Sequence, residues 1–176
     1  GDAIAHRGPD DAGVWGDASH GLALAHRRLS IHDLSPLGHQ PMASADGRYQ
    51  LVYNGEIYNF QALRTALQGL GHRFAGQSDT EILLAAIVQW GLESALERCN
   101  GMFAIALWDT QQHRLALARD RVGKKPLYYG WAGSSLVFGT SPLLASASAQ
   151  FAGKGKMKLR FKPYTLQLNH VFTLAT

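Results

Sequence analysis

The order of apolar and polar positions along the chain predicts strands, then helices, then strands again. Leu22 to His26 and Tyr49 to Tyr53 are short apolar-rich runs that predict strands, and Asp33 to Pro41, with Pro36, Gly38 and Pro41, predicts a loop between them. Phe60, Leu63, Leu67 and Leu70 then recur at helical spacing, and Gly71 supplies a stop. Ser78-Asp79-Thr80-Glu81 has the form of a capping box, ahead of a second helix that places Ile82, Leu83, Ala86, Ile87 and Trp90 on one face. Gly91 ends that helix, and a short third one, Leu92 to Arg98, stops near Asn100-Gly101. Met102 to Trp108 and Arg114 to Arg119 predict a hairpin around Thr110-Gln111-Gln112-His113. Leu127 to Trp131 and Leu136 to Phe138 add two strands about Gly133-Ser134. This order predicts an α+β domain with helices on sheet faces, and not alternating βαβ units.

Composition narrows the class. The 176 residues are 46% hydrophobic and 17% charged, which is globular and long enough to bury a core. No apolar run reaches the roughly 18 residues of a membrane span, and no signal-peptide pattern is present, so the expected location is cytoplasmic with no membrane partner. The single cysteine, Cys99, excludes an internal disulfide and fits a reducing compartment. Eight histidines are present, none paired at the spacing of a helical metal motif, so no metal site is expected. The formal charge of +4 belongs to the tail. Residues 150–176 hold Lys154, Lys156, Lys158, Arg160 and Lys162 and no acid. Without those five, 12 bases face 13 acids, a balance of −1. A nucleic-acid surface over the body is therefore not expected. Lys156 to Lys162 alternates cationic and apolar residues, the period of a half-exposed strand.

Several residues offer chemistry, each with a plainer alternative. Asn54-Gly55 follows a strand and can close a hairpin. It can equally form an oxyanion hole, from the Asn54 amide and the Gly55 backbone N–H, because glycine permits close approach to a substrate. Arg7 and Arg28 can each hold a carboxylate in a two-pronged pair, or pair structurally with Asp10, Asp11 or Asp33. Asp79 sits where a helix cap belongs and can also receive an ammonium group.

Taken in order, His6-Arg7-Gly8-Pro9-Asp10, His26 to Ile31, Tyr53 to Asn59, Ser78 to Glu81, Gly101 to Ala104 and Arg119 to Tyr129 carry a family resemblance. The stretch from about Ala5 to Gly139 resembles the N-terminal glutaminase domain of glutamine-hydrolysing asparagine synthetases. These are class II glutamine amidotransferases with the N-terminal-nucleophile hydrolase fold. The resemblance implies an αββα four-layer sandwich, here expected without its first strand. It implies that Arg28 holds the glutamine α-carboxylate and Asp79 its α-ammonium. Glu56 helps hold the ligand, Asn54 and Gly55 form the oxyanion hole, and Arg7 steadies the pocket wall. Glutamine is the implied ligand, and no cofactor is implied for this domain. ATP and Mg are expected only in the synthetase domain, whose phosphate-holding glycine-rich loop does not occur in this sequence.

The family's nucleophile is an N-terminal cysteine whose own α-amine, with a pKa of about 7.7–8.0, serves as base. This sequence begins with Gly1, and Cys99 has no α-amine of its own. The expectation is that this polypeptide alone does not hydrolyse glutamine, and that an unpaired sheet edge destabilises it. The amidotransferase domain is expected over residues 1–144 and a divergent basic tail over 145–176, either a replacement tail or the product of a reading-frame change near Thr140. The competing functions are a glutaminase domain of a relative acting on another carboxylate, a glutamine-binding module without turnover, and an interaction protein built around the tail.

Overall fold

A computed structural model describes residues 8–29, 36–132, 135–141, 160–161 and 170–175. In chain order the strands are β1 (Asp11–Asp17), β2 (Leu22–Arg28), β3 (Met42–Ala43), β4 (Tyr49–Ile57), β5 (Gly101–Asp109), β6 (Arg114–Arg119), β7 (Tyr128–Ala132), β8 (Ser135–Gly139), β9 (Arg160–Phe161) and β10 (His170–Ala175). The helices are α1 (Phe60–Gly69), α2 (Asp79–Trp90) and α3 (Leu92–Arg98). One six-stranded sheet runs β3-β4-β5-β6-β10-β9, while β1-β2 and β7-β8 pair separately. Each of these pairings is antiparallel. β10, inside the basic tail, pairs with β6. Of the alternating segment Lys156 to Lys162, only Arg160 and Phe161 lie within the described residues, as β9.

Strand alternation sorts the core into two layers. Leu51, Tyr53, Ile57, Phe103, Ile105 and Leu107 face the helices and pack with Leu63, Leu67, Ile82, Leu83, Ile87 and Leu96. Ala106, Trp108, Leu115 and Leu117 belong to a second cluster with Leu24, joined by Trp15, Val52, Leu127, Leu136 and Phe138. Helices therefore cover one face of the central sheet, and the two hairpins β1-β2 and β7-β8 lie over the other. These are three layers of the expected sandwich. Among the described residues no helix covers the outer side of the hairpins.

The predicted helices form, with local corrections. Leu63 and Leu67 of α1 are buried, but Leu70 is 55% exposed, because the helix ends at Gly69 and Leu70 is its C-cap. The Ser78 hydroxyl accepts the Glu81 N–H at 3.3 Å, as a capping box requires. The return arm goes elsewhere: the Glu81 carboxylate takes the Ala75 and Gly76 N–H groups, at 2.8 and 2.9 Å, and so fixes the approach to α2. Gly91, at φ 77, closes α2 and opens α3. The β5-β6 hairpin forms where predicted. Asp109 accepts the Gln111 and Gln112 N–H groups of its turn, each at 3.0 Å, and a forked pair of bonds from Arg48.

β1 was not apparent from the pattern, since among its residues only Gly13 is buried. β4 runs four residues past the expected end at Tyr53, through Asn54 and Gly55, without a turn. The hairpin alternative for Asn54-Gly55 is thereby excluded. Gly55 is glycine for another reason: a Cβ there would stand 2.8 Å from Phe103 Cα and closer still to the Met102 carbonyl. Gly101 meets β4 in the same way, where a Cβ would overlap the Glu56 carbonyl and stand 2.9 Å from Ile57 Cα. Overpacking of this kind costs about 1–3 kcal/mol. Gly101→Ala is accordingly expected to lower the urea midpoint. Gly69→Ala, at a helical position open to solvent, should leave the midpoint unchanged or raise it. Equal midpoints for the two variants would contradict the close approach of β4 and β5.

Candidate functional site

In an antiparallel ladder, successive N–H groups point to opposite edges of a strand. The Tyr58 N–H donates to the Asn100 carbonyl on the β5 side. Leu51, Tyr53, Gly55 and Ile57 therefore direct their N–H groups to the other edge of β4. Along that edge β3 pairs only with Gln50 and Leu51. Beyond them, among the described residues, side chains stand where a neighbouring strand would pair. The Tyr53 N–H donates to Gln40 Oε1 at 2.6 Å, and the Ile57 N–H donates to Asp79 Oδ2 at 2.9 Å. The Gly55 N–H lies between these two and meets no acceptor among the described residues.

Asp79 is the first residue of α2 and is 8% exposed. Its Oδ2 also accepts the Tyr53 hydroxyl, at 2.6 Å. Burial, then the adjacent Asp79 charge, pushes the Tyr53 phenol well above its ordinary range, so the hydroxyl stays protonated and donates. Asp79 Oδ1 meets no donor among the described residues. Asn54, on the opposite face of β4, donates its Nδ2 to the Thr140 hydroxyl at 2.9 Å, just past β8.

Arg28 ends β2 and is half-buried. Its guanidinium lies against Gly38, where a Cβ would overlap it. Two residues on, buried Gln40 holds Tyr53 and donates to the Thr80 hydroxyl at 3.4 Å. The segment 38–40 thus links Arg28 to the β4 edge and to the first turn of α2. Glu56, half-buried on β4, has Met102 as its cross-strand partner. Arg7 lies outside the described residues.

His26, beside Asp11 and His39, is pushed down to about 4 by burial and is neutral at physiological pH. His39 shares a 2.8 Å contact with Asp11. Among the described residues, no group of three or more His, Cys, Asp or Glu is placed to hold a metal ion, and no helix is long and apolar enough to cross a membrane.

Four contributors to this geometry were not singled out from the sequence: Tyr53, Gln40, Thr140 and Asp120. Asp120 is fully buried and accepts the Lys124, Lys125 and Phe103 N–H groups at 2.8, 2.9 and 3.3 Å. Burial raises its pKa, but the Lys125, Lys124 and Phe103 N–H groups outweigh that effect and hold the carboxyl below its usual range. It fixes the loop after β6 against the residue opposite Gly55. One signal was available for Tyr53: a tyrosine on an inward-facing strand position needs a partner for its hydroxyl.

Comparison with known proteins follows the same lines. A family model described as a glutamine amidotransferase domain matches residues 1–160. The chain is 43% identical over 141 residues to the glutamine-hydrolyzing asparagine synthetase 3 of Bacillus subtilis, covering 79% of this chain and 22% of that protein. It is 44% identical over 128 residues to amidase chry2 of Gibberella zeae, covering 73% and 19% respectively. It thus spans about a fifth of the length of these curated relatives. The solved glutamine phosphoribosylpyrophosphate amidotransferase of Bacillus subtilis superposes with a TM-score of 0.63 at 23% identity, covering 72% of this chain and 29% of that one. That likeness shows a shared α+β fold.

Cys99 caps α3, is 4% exposed, and has its thiol pushed up to about 12 by burial. It has neither the access nor the thiolate character of a nucleophile. Native protein at pH 8 is expected to resist alkylation by iodoacetamide and to label promptly in urea. Prompt labelling of the native state would contradict this placement.

Proposed function

The chain belongs to the glutamine amidotransferase domain family, and from that premise we propose that it binds glutamine along the open edge of β4 and serves as the ammonia-supplying part of a glutamine-hydrolysing asparagine synthetase. The observation that carries the reading is the Gly55 N–H, which meets no acceptor among the described residues and is bracketed by Gln40 on one side and the Asp79 carboxylate on the other. Such a donor, on a half-buried stretch of strand edge, suits the oxygen of an amide that gains negative charge under attack. Asn54, steadied by Thr140, supplies the second donor. Asp79 Oδ1 receives the α-ammonium, and Arg28 takes the α-carboxylate through paired N–H groups. Glu56 contributes to holding the ligand, and Arg7 supports the pocket wall.

The chemistry that this geometry serves is attack on the side-chain amide carbon by the cysteine thiolate that the family resemblance implies, giving a tetrahedral oxyanion. The amide nitrogen takes up a proton and leaves as ammonia, and water then cleaves the resulting thioester to glutamate and the free thiol. Cys99, buried and protonated, does not supply the attacking sulfur. The residues of this chain bind, orient and stabilise. Asparagine formation, with ATP and Mg, is assigned to the part of such enzymes that lies beyond this family match. A single buried cysteine is in keeping with a cytoplasmic setting.

A second reading keeps the same glutamine site but delivers ammonia to an acceptor other than aspartate. The similarity to amidase chry2, at 44% identity, favours keeping it. With glutamine isotopically labelled in its amide nitrogen, the complete enzyme transfers label to asparagine under the first reading and to a different amide under the second.

Glutamine binding to the chain, measured by calorimetry, is the test of the shared site. Arg28→Ala should weaken it by about 2 kcal/mol, roughly thirtyfold, the loss of a charge-assisted pair. Equal affinity in the variant would remove Arg28 from the site, and no binding to the parent chain would overturn the proposal.

A further inference from the structure

Tyr53 stands apart from the residues expected to touch the ligand. It faces the helical layer, is 3% exposed, and spans the gap between β4 and α2. Its backbone N–H is taken by Gln40, and its hydroxyl donates to Asp79 Oδ2 at 2.6 Å. The Ile57 N–H reaches the same oxygen at 2.9 Å. Two donors converging on Oδ2 from β4 fix both the position of the carboxylate and the rotation of its plane. Oδ1 is left facing away from them, with no protein donor among the described residues. A hydroxyl bonded to a carboxylate is charge-assisted and directional. It holds Asp79 more firmly than the first turn of α2 does alone.

We infer that Tyr53 is the positioning residue for recognition of the ligand's α-ammonium group, acting through Asp79 and not by touching the ligand. The inference deepens the glutamine reading above and rests on it. Tyr53 spends one carboxylate oxygen so that the other is presented in a single orientation. Without the hydroxyl, Oδ2 keeps only the Ile57 N–H and the carboxylate can turn about its Cβ–Cγ bond. Recognition of the ammonium then weakens, while recognition of the carboxylate and the amide is untouched.

The test compares glutamine with glutaramate, the same molecule without the α-ammonium group, in calorimetric titrations of the full chain. Wild type should bind glutamine at least about tenfold more tightly than glutaramate, the loss typical of one charge-assisted bond. Tyr53→Phe should reduce that ratio at least fivefold (about 1 kcal/mol) by weakening glutamine alone. An unchanged glutaramate affinity reports that the pocket remains folded. An unchanged ratio in the variant, or an equal loss for both ligands, overturns the inference and leaves the glutamine site standing. Failure of wild type to bind either ligand overturns the glutamine reading itself, and the inference with it. Should the phenylalanine variant not fold, wild type labelled with meta-fluorotyrosine reads the same contact. The Tyr53 fluorine resonance should shift with glutamine and not with glutaramate, and indifference to bound glutamine would overturn the inference.

Discussion

One carboxylate oxygen, Oδ2 of Asp79, joins the helical layer to the central sheet at the point where β4 has, among the described residues, no neighbouring strand on that edge. It accepts from the Tyr53 hydroxyl and the Ile57 N–H together. A charge with 8% exposure is tolerable only because both donors come from the sheet beneath it. The arrangement also decides what the edge of β4 can do. Gln40 takes its N–H at Tyr53 and Asp79 takes its N–H at Ile57. The Gly55 N–H between them meets no acceptor among the described residues. An unpaired edge is ordinarily a liability that folds cover or blunt. Here side chains cap it at two points, and among the described residues one donor between them has no acceptor.

The close contact between β4 and β5 is the second constraint. Gly55 and Gly101 each lack room for a Cβ because the backbone of the opposite strand occupies that space. Asp120 holds the loop after β6 through three N–H groups, one of them that of Phe103, which pairs with Gly55. The position of the Gly55 backbone is thus set by sheet packing well before any ligand arrives, which is the preorganisation that stabilising a developing oxyanion demands.

Much of this was legible in the sequence, for physical reasons. The helices announced themselves through apolar spacing, because each packs one stripe onto the sheet. The hairpin β5-β6 did so through two apolar runs around a polar turn. β1 did not: its burial alternates, but its only buried position is a glycine and no alternation of apolar and polar residue types marks it. The end of β4 was misplaced because Asn-Gly is a turn signal, whereas here glycine answers to β5 and not to a turn. The candidate residues Arg28, Asn54, Gly55, Glu56 and Asp79 came from a family resemblance carried by their motifs. The bonds that orient them, from Tyr53, Gln40 and Thr140, join residues 13, 26, 40 and 86 positions apart. No local pattern records such pairings.

The central claim is that the β4 edge between Gln40 and Asp79 is a glutamine site, and its most direct test is a crystal structure of the chain grown with glutamine. The account predicts a glutamine molecule with its α-ammonium on Asp79 Oδ1, its α-carboxylate on Arg28, and its amide oxygen facing the Gly55 N–H and the Asn54 side chain. Density for glutamine elsewhere, or an acceptor from the protein itself on the Gly55 N–H in the crystal, would contradict it.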